Sequence, residues 1–285
     1  YAPVPLSGKE EEIRQSGGIF AIGRREFIES LTVVPEIRFP DADEARTIAR
    51  LEHPHIVGIH EVGRSSTGLP YYTMPYLPNG DLGRRRLRGD SRAVLAVLRA
   101  LVDALAYAHA HGVVHRDVKP DNVLFDKNDR PLLTDFGIAL ATTLDHDHRV
   151  TERGRTLASS GYMSPEQARG SDVDARADLY SLGVVCHELL TGDLPFQGID
   201  ALSMAMAHVE DPVPRLPAAL AAWQPFLDRA MAKSPNDRYQ DAAEMRAGLD
   251  AVERALDAPP VEPPARSWRL PLLAALLAAV AVYAA

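Results

Sequence analysis

Near its middle the chain reads His115-Arg116-Asp117-Val118-Lys119-Pro120-Asp121-Asn122. Two short segments follow it in order, Asp135-Phe136-Gly137 and Ser164-Pro165-Glu166. A single segment of this length recurs by chance in unrelated proteins, whereas three in this order and with these gaps rarely do. We therefore interpret the three segments together, as parts of one site.

The three segments resemble those of the eukaryotic-like (Hanks-type) Ser/Thr protein kinases, particularly the bacterial membrane-anchored receptor kinases. The resemblance covers about residues 13–256, and the N-terminal part of this range matches poorly. It implies an α+β, bilobal protein-kinase-like fold, with a shortened N-lobe built on a small antiparallel sheet and a larger, mainly helical C-lobe. It also implies an enzyme that transfers the γ-phosphate of ATP to Ser or Thr hydroxyls of protein substrates, and a homodimer, since related receptor kinases often pair.

Four residues match the family's catalytic set. Phosphoryl transfer requires positioning and charge neutralisation more than covalent chemistry. Asp117 matches the base that accepts the proton of the acceptor hydroxyl, and Lys119 can neutralise charge on the transferred phosphoryl group. Asn122 and Asp135 supply the hard oxygen ligands that Mg²⁺, or Mn²⁺ in its place, takes when it bridges nucleotide phosphates.

Three further matches are structural. Glu166 and Arg238 occupy the positions of a buried ion pair that ties the substrate-binding loop to the helical base of the family's large lobe. Asp178 matches the residue that caps the backbone of the catalytic loop, which here is residues 115–122. Each of these side chains is expected to fix geometry and to take no part in the chemistry.

The segment between the second and third motifs is the expected regulatory region. Arg116, next to the catalytic Asp, can bind a phosphate, so phosphorylation in this segment would order it and switch activity. Ser159 falls where the family has a Thr that contacts the catalytic Asp, and it keeps the hydroxyl group. The sequence does not identify which hydroxyl of the segment is phosphorylated.

The nucleotide site matches the family in part. Met74 falls at the back of the adenine pocket, and the backbones of Tyr76 and Leu77 are expected to face the base. Gly17 and Gly18 remain from the glycine-rich loop, whose small residues let the backbone approach the phosphates.

The lysine that anchors the α and β phosphates in the family is missing. Glu44 matches its partner on the N-lobe helix, but alignment of the strand puts Pro35 in the lysine position, and Lys9 lies too far upstream. Arg24 and Arg25 lie close to the family spacing from Glu44 and are candidate replacements, although arginine and lysine are not equivalent at a fixed site.

Two other functions are consistent with this departure. The chain could be a pseudokinase, a membrane-tethered binding or scaffold module that has lost phosphoryl transfer with the lysine. A small-molecule phosphotransferase of related fold is a distant third, because Lys119 and the second and third motifs are typical of kinases that act on peptides. The complete catalytic set favours the active protein kinase.

Composition limits the class of protein. Of 285 residues, 46% are hydrophobic and 25% are charged, so the chain can fill a core and wholesale disorder is excluded. The 31 basic and 39 acidic side chains give a net charge of −8, which argues against binding nucleic acid through bulk charge. Cys186 is the only cysteine, so no intramolecular disulfide forms, as is typical of a reducing compartment.

Periodicity and composition divide the chain into five parts. They are an N-terminal segment (1–12), the kinase N-lobe (13–77), the kinase C-lobe (78–256), a Pro-rich juxtamembrane linker (257–267) and the start of a transmembrane helix (268–285). Short β-branched runs at 31–34 and 56–59 are typical of strands. Helical spacing of apolar residues predicts helices over 94–105, 179–190 and 245–256, the second closed by Gly192, and the basic run 84–88 is expected to be a solvated helix face.

The C-terminal part predicts a membrane anchor. From Leu270 to Ala285 the chain carries no charge and consists mostly of Leu, Ala and Val, but the run is shorter than the roughly 20 residues that cross a bilayer. The chain begins at Tyr1 and not at Met, and we expect the span to continue beyond Ala285. With Arg266 and Arg269 on the cytoplasmic side, the pattern predicts a single-pass protein of the cell membrane with a cytoplasmic kinase domain; a buried or amphipathic terminal helix is the alternative.

Overall fold

The computed structural model describes residues 47–64, 70–136 and 160–258. The strands in these ranges are β1 (Glu61–Arg64), β2 (Pro70–Thr73), β3 (Val123–Phe125) and β4 (Pro131–Leu133). The α-helices are α1 (Ser91–Ala110), α2 (Pro165–Arg169), α3 (Ala175–Thr191), α4 (Ala201–Glu210), α5 (Gln224–Ala230) and α6 (Ala242–Asp257). Short 3-10 helices lie at Leu82–Arg84, Pro120–Asn122, Ala218–Trp223 and Pro235–Asp237.

The strands form two antiparallel pairs, β1 with β2 and β3 with β4. The segment before β1 lies along β4. The Val57 N–H donates to the Leu133 carbonyl at 2.9 Å, and the Leu133 N–H donates to the His55 carbonyl at 2.9 Å. These two hydrogen bonds join the strand-rich beginning of the described chain to the part that carries the motifs.

Helix α1 supplies one face of the core. The Asp90 side chain accepts from the Ala93 N–H at its N-terminus, as an N-cap residue does. Leu98, Leu101 and Leu105 follow at helical spacing, and all three are fully buried against α3 and α6. In the described ranges, α1 alone has the length and apolar composition to cross a membrane, but its apolar side chains belong to this core.

Helix α3 is buried along most of its length. Asp174 caps its N-terminus, and Gly192, with a φ of 84°, ends it in the left-handed conformation. A Cβ atom at Gly183 would lie 2.8 Å from the Cβ of Ala230, so glycine is what lets α5 pack directly on this helix. The structure thus confirms the three helices that periodicity predicts, as parts of α1, α3 and α6.

Two local predictions are wrong. Residues 56–59 form no strand, because only Ile56 makes a bridge, to Leu133, and the ladder does not continue.

The basic run 84–88 is no helix face, since the short helix ends at Arg84. The Arg85 guanidinium instead lies 4.0 Å from the centre of the Phe125 ring and forms an ion pair with Asp129. An aromatic face beside a carboxylate holds an arginine better than solvent does.

Candidate active site

The 115–122 loop starts just beyond α1 and is held from α3. Asp178, buried in the first turn of α3, accepts hydrogen bonds from the N–H groups of His115 at 2.8 Å and Arg116 at 2.7 Å. It also contacts His109 Nε2, near the end of α1, at 2.8 Å. Three partners satisfy this buried carboxylate, so one side chain fixes the loop to two core helices.

His115 is a packing residue. Its ring is fully buried and lies 4.6 Å from the Phe136 ring, centre to centre. Its Nδ1 accepts from the Asp117 N–H at 3.2 Å, so Nε2 carries the proton and donates to the Thr134 carbonyl at 2.8 Å. The neutral imidazole therefore links the loop to the end of β4.

Asp117 lies at the centre of a small polar group. Lys119 Nζ donates to Asp117 Oδ2 at 2.7 Å, and Asn122 Nδ2 donates to the same oxygen at 3.0 Å and to the Asp117 carbonyl at 2.8 Å. The Asp117 side chain keeps 27% of its surface exposed. The carboxylate is thus oriented by two donors and still open to a molecule from solvent.

Asn122 and Asp135 are brought together by the β3–β4 pair. Asn122 ends the 3-10 turn before β3, and its carbonyl accepts from the Thr134 N–H, directly after β4, at 2.9 Å. Asp135 follows with a φ of 60°, a left-handed conformation that is strained for a non-glycine residue. The loop and β4 therefore end side by side, with an amide oxygen and a carboxylate as hard donors.

This donor set fits a magnesium ion that shares its ligands with phosphates. Among the described residues, no group of three or more His, Cys, Asp or Glu side chains could hold a metal. Mg²⁺ commonly takes one or two protein carboxylates and completes its shell with water and substrate phosphates. Asn122 and Asp135 meet that requirement, whereas a metal held by the protein alone would need more ligands.

A small apolar surface lies behind this group. Met74 and Val57 are buried together, with Leu124 and Leu132 packed against them. The Thr134 hydroxyl donates to the Met74 sulfur at 3.7 Å. Past Met74 the chain becomes accessible, and Tyr76 is 53% exposed. An apolar surface next to an accessible stretch of chain is suited to a planar heterocyclic base.

The third motif is fixed by a buried ion pair. Arg238 donates to both carboxylate oxygens of Glu166, at 2.7 and 2.8 Å. Burial raises the pKa of Glu166, but the hydrogen bonds and charge of Arg238 outweigh it and hold the pKa below its ordinary value. Glu166 therefore stays ionised, and α2 is tied to the loop before α6.

Comparison with known proteins decides the family. A family model described as the protein kinase domain matches residues 39–247. The chain belongs to the protein kinase family. This confirms the resemblance and the predicted α+β kinase-like fold, to which the described helices and small antiparallel sheets conform.

Several curated proteins to which the chain is similar are bacterial kinases. The chain is 43% identical over 233 residues to the serine/threonine-protein kinase PknB of Mycolicibacterium smegmatis, covering 76% of this chain and 37% of that protein. It is 40% identical over 219 residues to PknB of Mycobacterium tuberculosis, covering 73% and 35%. It is 39% identical over 229 residues to the serine/threonine-protein kinase PknL of Mycobacterium tuberculosis, covering 78% and 56%. The chain thus spans between about a third and a little over half of the length of these curated relatives.

Some predicted site residues lie outside the described ranges. They are Gly17, Gly18, Arg24, Arg25, Pro35, Glu44 and Ser159. Residues 137–159 of the expected regulatory region, residues 259–267 of the linker and the predicted membrane anchor lie outside them as well. The residue that binds the nucleotide phosphates in place of the lysine therefore stays a prediction from sequence, and so does the transmembrane segment.

Sequence reasoning missed two polar residues that help to hold the catalytic loop, one directly and one through Asp178. His109 contacts Asp178, and Gln167 Nε2 donates to the Arg116 carbonyl at 2.7 Å. A signal for Gln167 was present, because Ser164 and Gln167 have the spacing of a capping box, and the structure has that box at the start of α2. His109 had no such signal, since it joins a residue far along the chain.

Proposed function

We propose that the chain is a serine/threonine protein kinase that transfers the γ-phosphate of ATP to Ser or Thr hydroxyls of protein substrates. The observation that carries the proposal is the contact of Lys119 and Asn122 with one oxygen of Asp117. A module that only binds partners has no need for this set. The relatives that bear the name serine/threonine-protein kinase support the same conclusion.

Asp117 is the base in this proposal. Its Oδ2 is engaged by Lys119 and Asn122, so we assign Oδ1 to the proton of the acceptor hydroxyl. The two donors stop the carboxylate from rotating, and its partial exposure leaves room for a substrate side chain. Lys119 is placed to move from Asp117 towards negative charge that develops on the phosphoryl oxygens.

Asn122 and Asp135 would hold the metal. Both Asn122 contacts to Asp117 use Nδ2, so the amide oxygen Oδ1 is the atom for coordination, together with the Asp135 carboxylate. Mg²⁺, or Mn²⁺, supplies neutralisation of phosphate charge when it is bound.

The nucleotide would lie against the apolar surface of Val57, Met74 and Leu132. We assign the hydrogen bonds of the base to the backbone near Tyr76 and Leu77, and the phosphate contacts to Gly17 and Gly18. Glu44 would orient the phosphate anchor, for which Arg24 and Arg25 are the candidates. These assignments rest on the resemblance of the sequence to the family.

A transfer assay tests this function. The purified chain is incubated with radiolabelled ATP, Mg²⁺ and a mixture of basic and acidic acceptor proteins, and the labelled amino acids are identified after hydrolysis. We expect phosphoserine and phosphothreonine, and none from the Asp117→Asn variant. ATP binding without transfer in either Mg²⁺ or Mn²⁺ would establish the pseudokinase instead.

The phosphate anchor has a separate test. Arg24→Met and Arg25→Met are compared for ATP affinity and turnover, and we expect one of the two to lose both. Unchanged values in both variants would remove these arginines as replacements for the missing lysine.

We further propose that the chain is tethered to the cell membrane through residues 268–285, with the kinase domain in the cytoplasm and protein substrates reached from the inner face. The support is the uncharged run from Leu270 with Arg266 and Arg269 before it.

A charge in the middle of the run, Leu276→Arg, should move the chain from the membrane to the soluble fraction of expressing cells. An unchanged distribution, or a wild-type chain in the soluble fraction, would contradict the tether. A homodimer stays a prediction from the resemblance.

A further inference from the structure

We infer that Gln167 is a positioning residue of the reaction, which fixes the peptide group that carries Asp117 and so couples the start of α2 to the catalytic base. The inference rests on the proposed kinase function. It concerns a residue outside the predicted catalytic set, and a single amide side chain provides the link.

The geometry allows one orientation of the Gln167 amide. Its Oε1 accepts from the Ser164 N–H at 2.9 Å, and its Nε2 donates to the Arg116 carbonyl at 2.7 Å. A flipped amide would set Nε2 against the N–H of Ser164 and Oε1 against the carbonyl of Arg116, two repulsive contacts. Gln167 therefore needs both of its functional groups, one for the helix cap and one for the catalytic loop.

The peptide group that Gln167 holds is the one between Arg116 and Asp117. Its carbonyl end is bound by Gln167, and its N–H end by His115 Nδ1 at 3.2 Å. The preceding peptide is held by Asp178, which accepts from the Arg116 N–H at 2.7 Å. Asn122 Nδ2 binds the Asp117 carbonyl at 2.8 Å, so the peptide groups on both sides of Asp117 are held, and with them the direction of its bond from Cα to Cβ.

The backbone at this point needs such support. Arg116 has a φ of 65°, in the left-handed region that a non-glycine residue adopts at a cost in free energy. Strained conformations of this kind persist only where surrounding groups hold them. Asp178, on the core side, accepts a hydrogen bond from the Arg116 N–H, and Gln167, directly after the third motif, donates to the Arg116 carbonyl.

The position of the third motif therefore affects the conformation of the catalytic loop. Gln167 follows directly on Glu166, whose carboxylate is bound by the buried Arg238. The position of the start of α2 is thereby fixed, and the Ser164 cap fixes the Gln167 side chain within it. A change in this segment that withdraws Gln167 would free the Arg116 carbonyl and let Asp117 turn.

Gln167→Glu separates the two tasks of the side chain. A glutamate keeps an oxygen for the Ser164 N–H, and it is itself a favoured residue in a capping box, so α2 should form as before. It cannot donate to the Arg116 carbonyl while it is ionised, and it can donate again when it is protonated. Since a glutamate of ordinary pKa is ionised at neutral pH, the variant removes the link to the catalytic loop and keeps the helix cap.

Gln224→Glu is the matched control. Gln224 makes the same pair of contacts, since its Oε1 accepts from the Leu216 N–H at 2.8 Å and its Nε2 donates to the Pro214 carbonyl at 3.2 Å. It belongs to α5, and its Nε2 also donates to Asp228 of the same helix, away from the catalytic loop. The same chemical change there loses a comparable backbone contact without reaching Asp117.

The experiment measures kcat and the KM for ATP of the full chain, with amide hydrogen exchange of residues 114–118 as a readout that does not depend on activity. At about pH 8, where the glutamate is ionised, we expect Gln167→Glu to lower kcat roughly tenfold with little change in KM and to speed exchange in the loop. Gln224→Glu should match the wild type in all three quantities.

The outcomes separate this inference from the proposed function. A wild-type chain that transfers no phosphate, with faster exchange in Gln167→Glu, would remove the kinase function and keep the link. An active wild type with unchanged exchange and turnover in Gln167→Glu would overturn the inference. A loss of kcat that Gln224→Glu shares, or a rise in KM as large as the fall in kcat, would overturn it too, because a lost donor to the Arg116 carbonyl predicts neither.

Discussion

Arg238 donates two hydrogen bonds to Glu166, and the two side chains are only 0% and 9% exposed. Arg238 also donates to the carbonyls of Ala232, Arg176 and Lys233. The guanidinium thus joins α2, the start of α3 and the loop before α6. The position of α2 matters to the catalytic loop, because Gln167 in the same helix binds Arg116.

Arg238→Met should be strongly destabilising. It leaves the Glu166 carboxylate buried without its counter-ion and removes one donor from each of three carbonyls, so we expect a loss of about 3–5 kcal/mol in the free energy of unfolding. Urea unfolding measures it. Arg215→Met, in an ion pair whose side chains are 80% and 43% exposed, should cost less than about 1 kcal/mol. Equal losses from the two changes would contradict a structural role for the buried pair.

Asp178→Asn should uncouple the catalytic loop from α3. The amide has one acceptor oxygen in place of two, and its NH₂ group would face a backbone N–H of His115 or Arg116. We expect kcat to fall by about a hundredfold with a small change in the KM for ATP, since the base is misplaced and the nucleotide contacts are not.

Asp174→Asn is the control on the same helix. Asp174 caps α3 from an exposed position and pairs with Arg176; asparagine can still cap the helix, so only the exposed ion pair is lost, and the change should cost less than about 1 kcal/mol of stability and leave kcat unchanged. If Asp174→Asn and Asp178→Asn lower kcat alike, the effect comes from the stability of α3 and not from the loop.

Stability should fall as the pH drops below 6.5, in part through His208. Its Nε2 donates to the Gly161 carbonyl at 3.0 Å and Tyr180 donates to its Nδ1 at 2.9 Å. Burial and then the charge of Lys233 lower the pKa of His208 from 6.5 to about 4. Between these two values the unfolded chain binds a proton that the folded chain does not, so the contribution of His208 is complete above pH 6.5 and is lost as the pH falls.

His208→Gln tests this assignment. The difference in unfolding free energy between wild type and variant should shrink by roughly 2 kcal/mol from about pH 7.5 to about pH 5, because glutamine does not titrate. Unfolding curves at the two pH values measure it. A difference that does not change with pH would mean that His208 is not the residue responsible.

The sequence predicts those features that depend on local pattern. Leu98, Leu101 and Leu105 have helical spacing, and the core of α1 follows from it. Asp117, Lys119 and Asn122 are close in sequence, so their contact needs only a short loop. The strand predicted over Ile56–Ile59 is absent, because a β-branched run can bury its side chains and still pair with another strand at a single residue.

Contacts between distant parts of the chain could not be predicted in the same way. His109 and Asp178 meet because α1 and α3 pack together, and no spacing in the sequence encodes that. Arg85 lies in a basic run that is typical of a solvated surface, yet Phe125 and Asp129 hold it. Tertiary neighbours determine the role of such residues.

The rate of a single turnover with Asp117→Asn tests the central claim most directly. Radiolabelled ATP is bound to an excess of the chain, an acceptor protein is added, and the transfer rate is measured beside the Kd for ATP. We expect the rate to fall by at least about a thousandfold with the Kd unchanged, since the base is lost and the nucleotide site is not. Asp129→Asn, the same change at an exposed turn with a φ of 63°, should transfer at the wild-type rate. Transfer by Asp117→Asn at the wild-type rate would contradict the assignment of the base and with it the proposed mechanism.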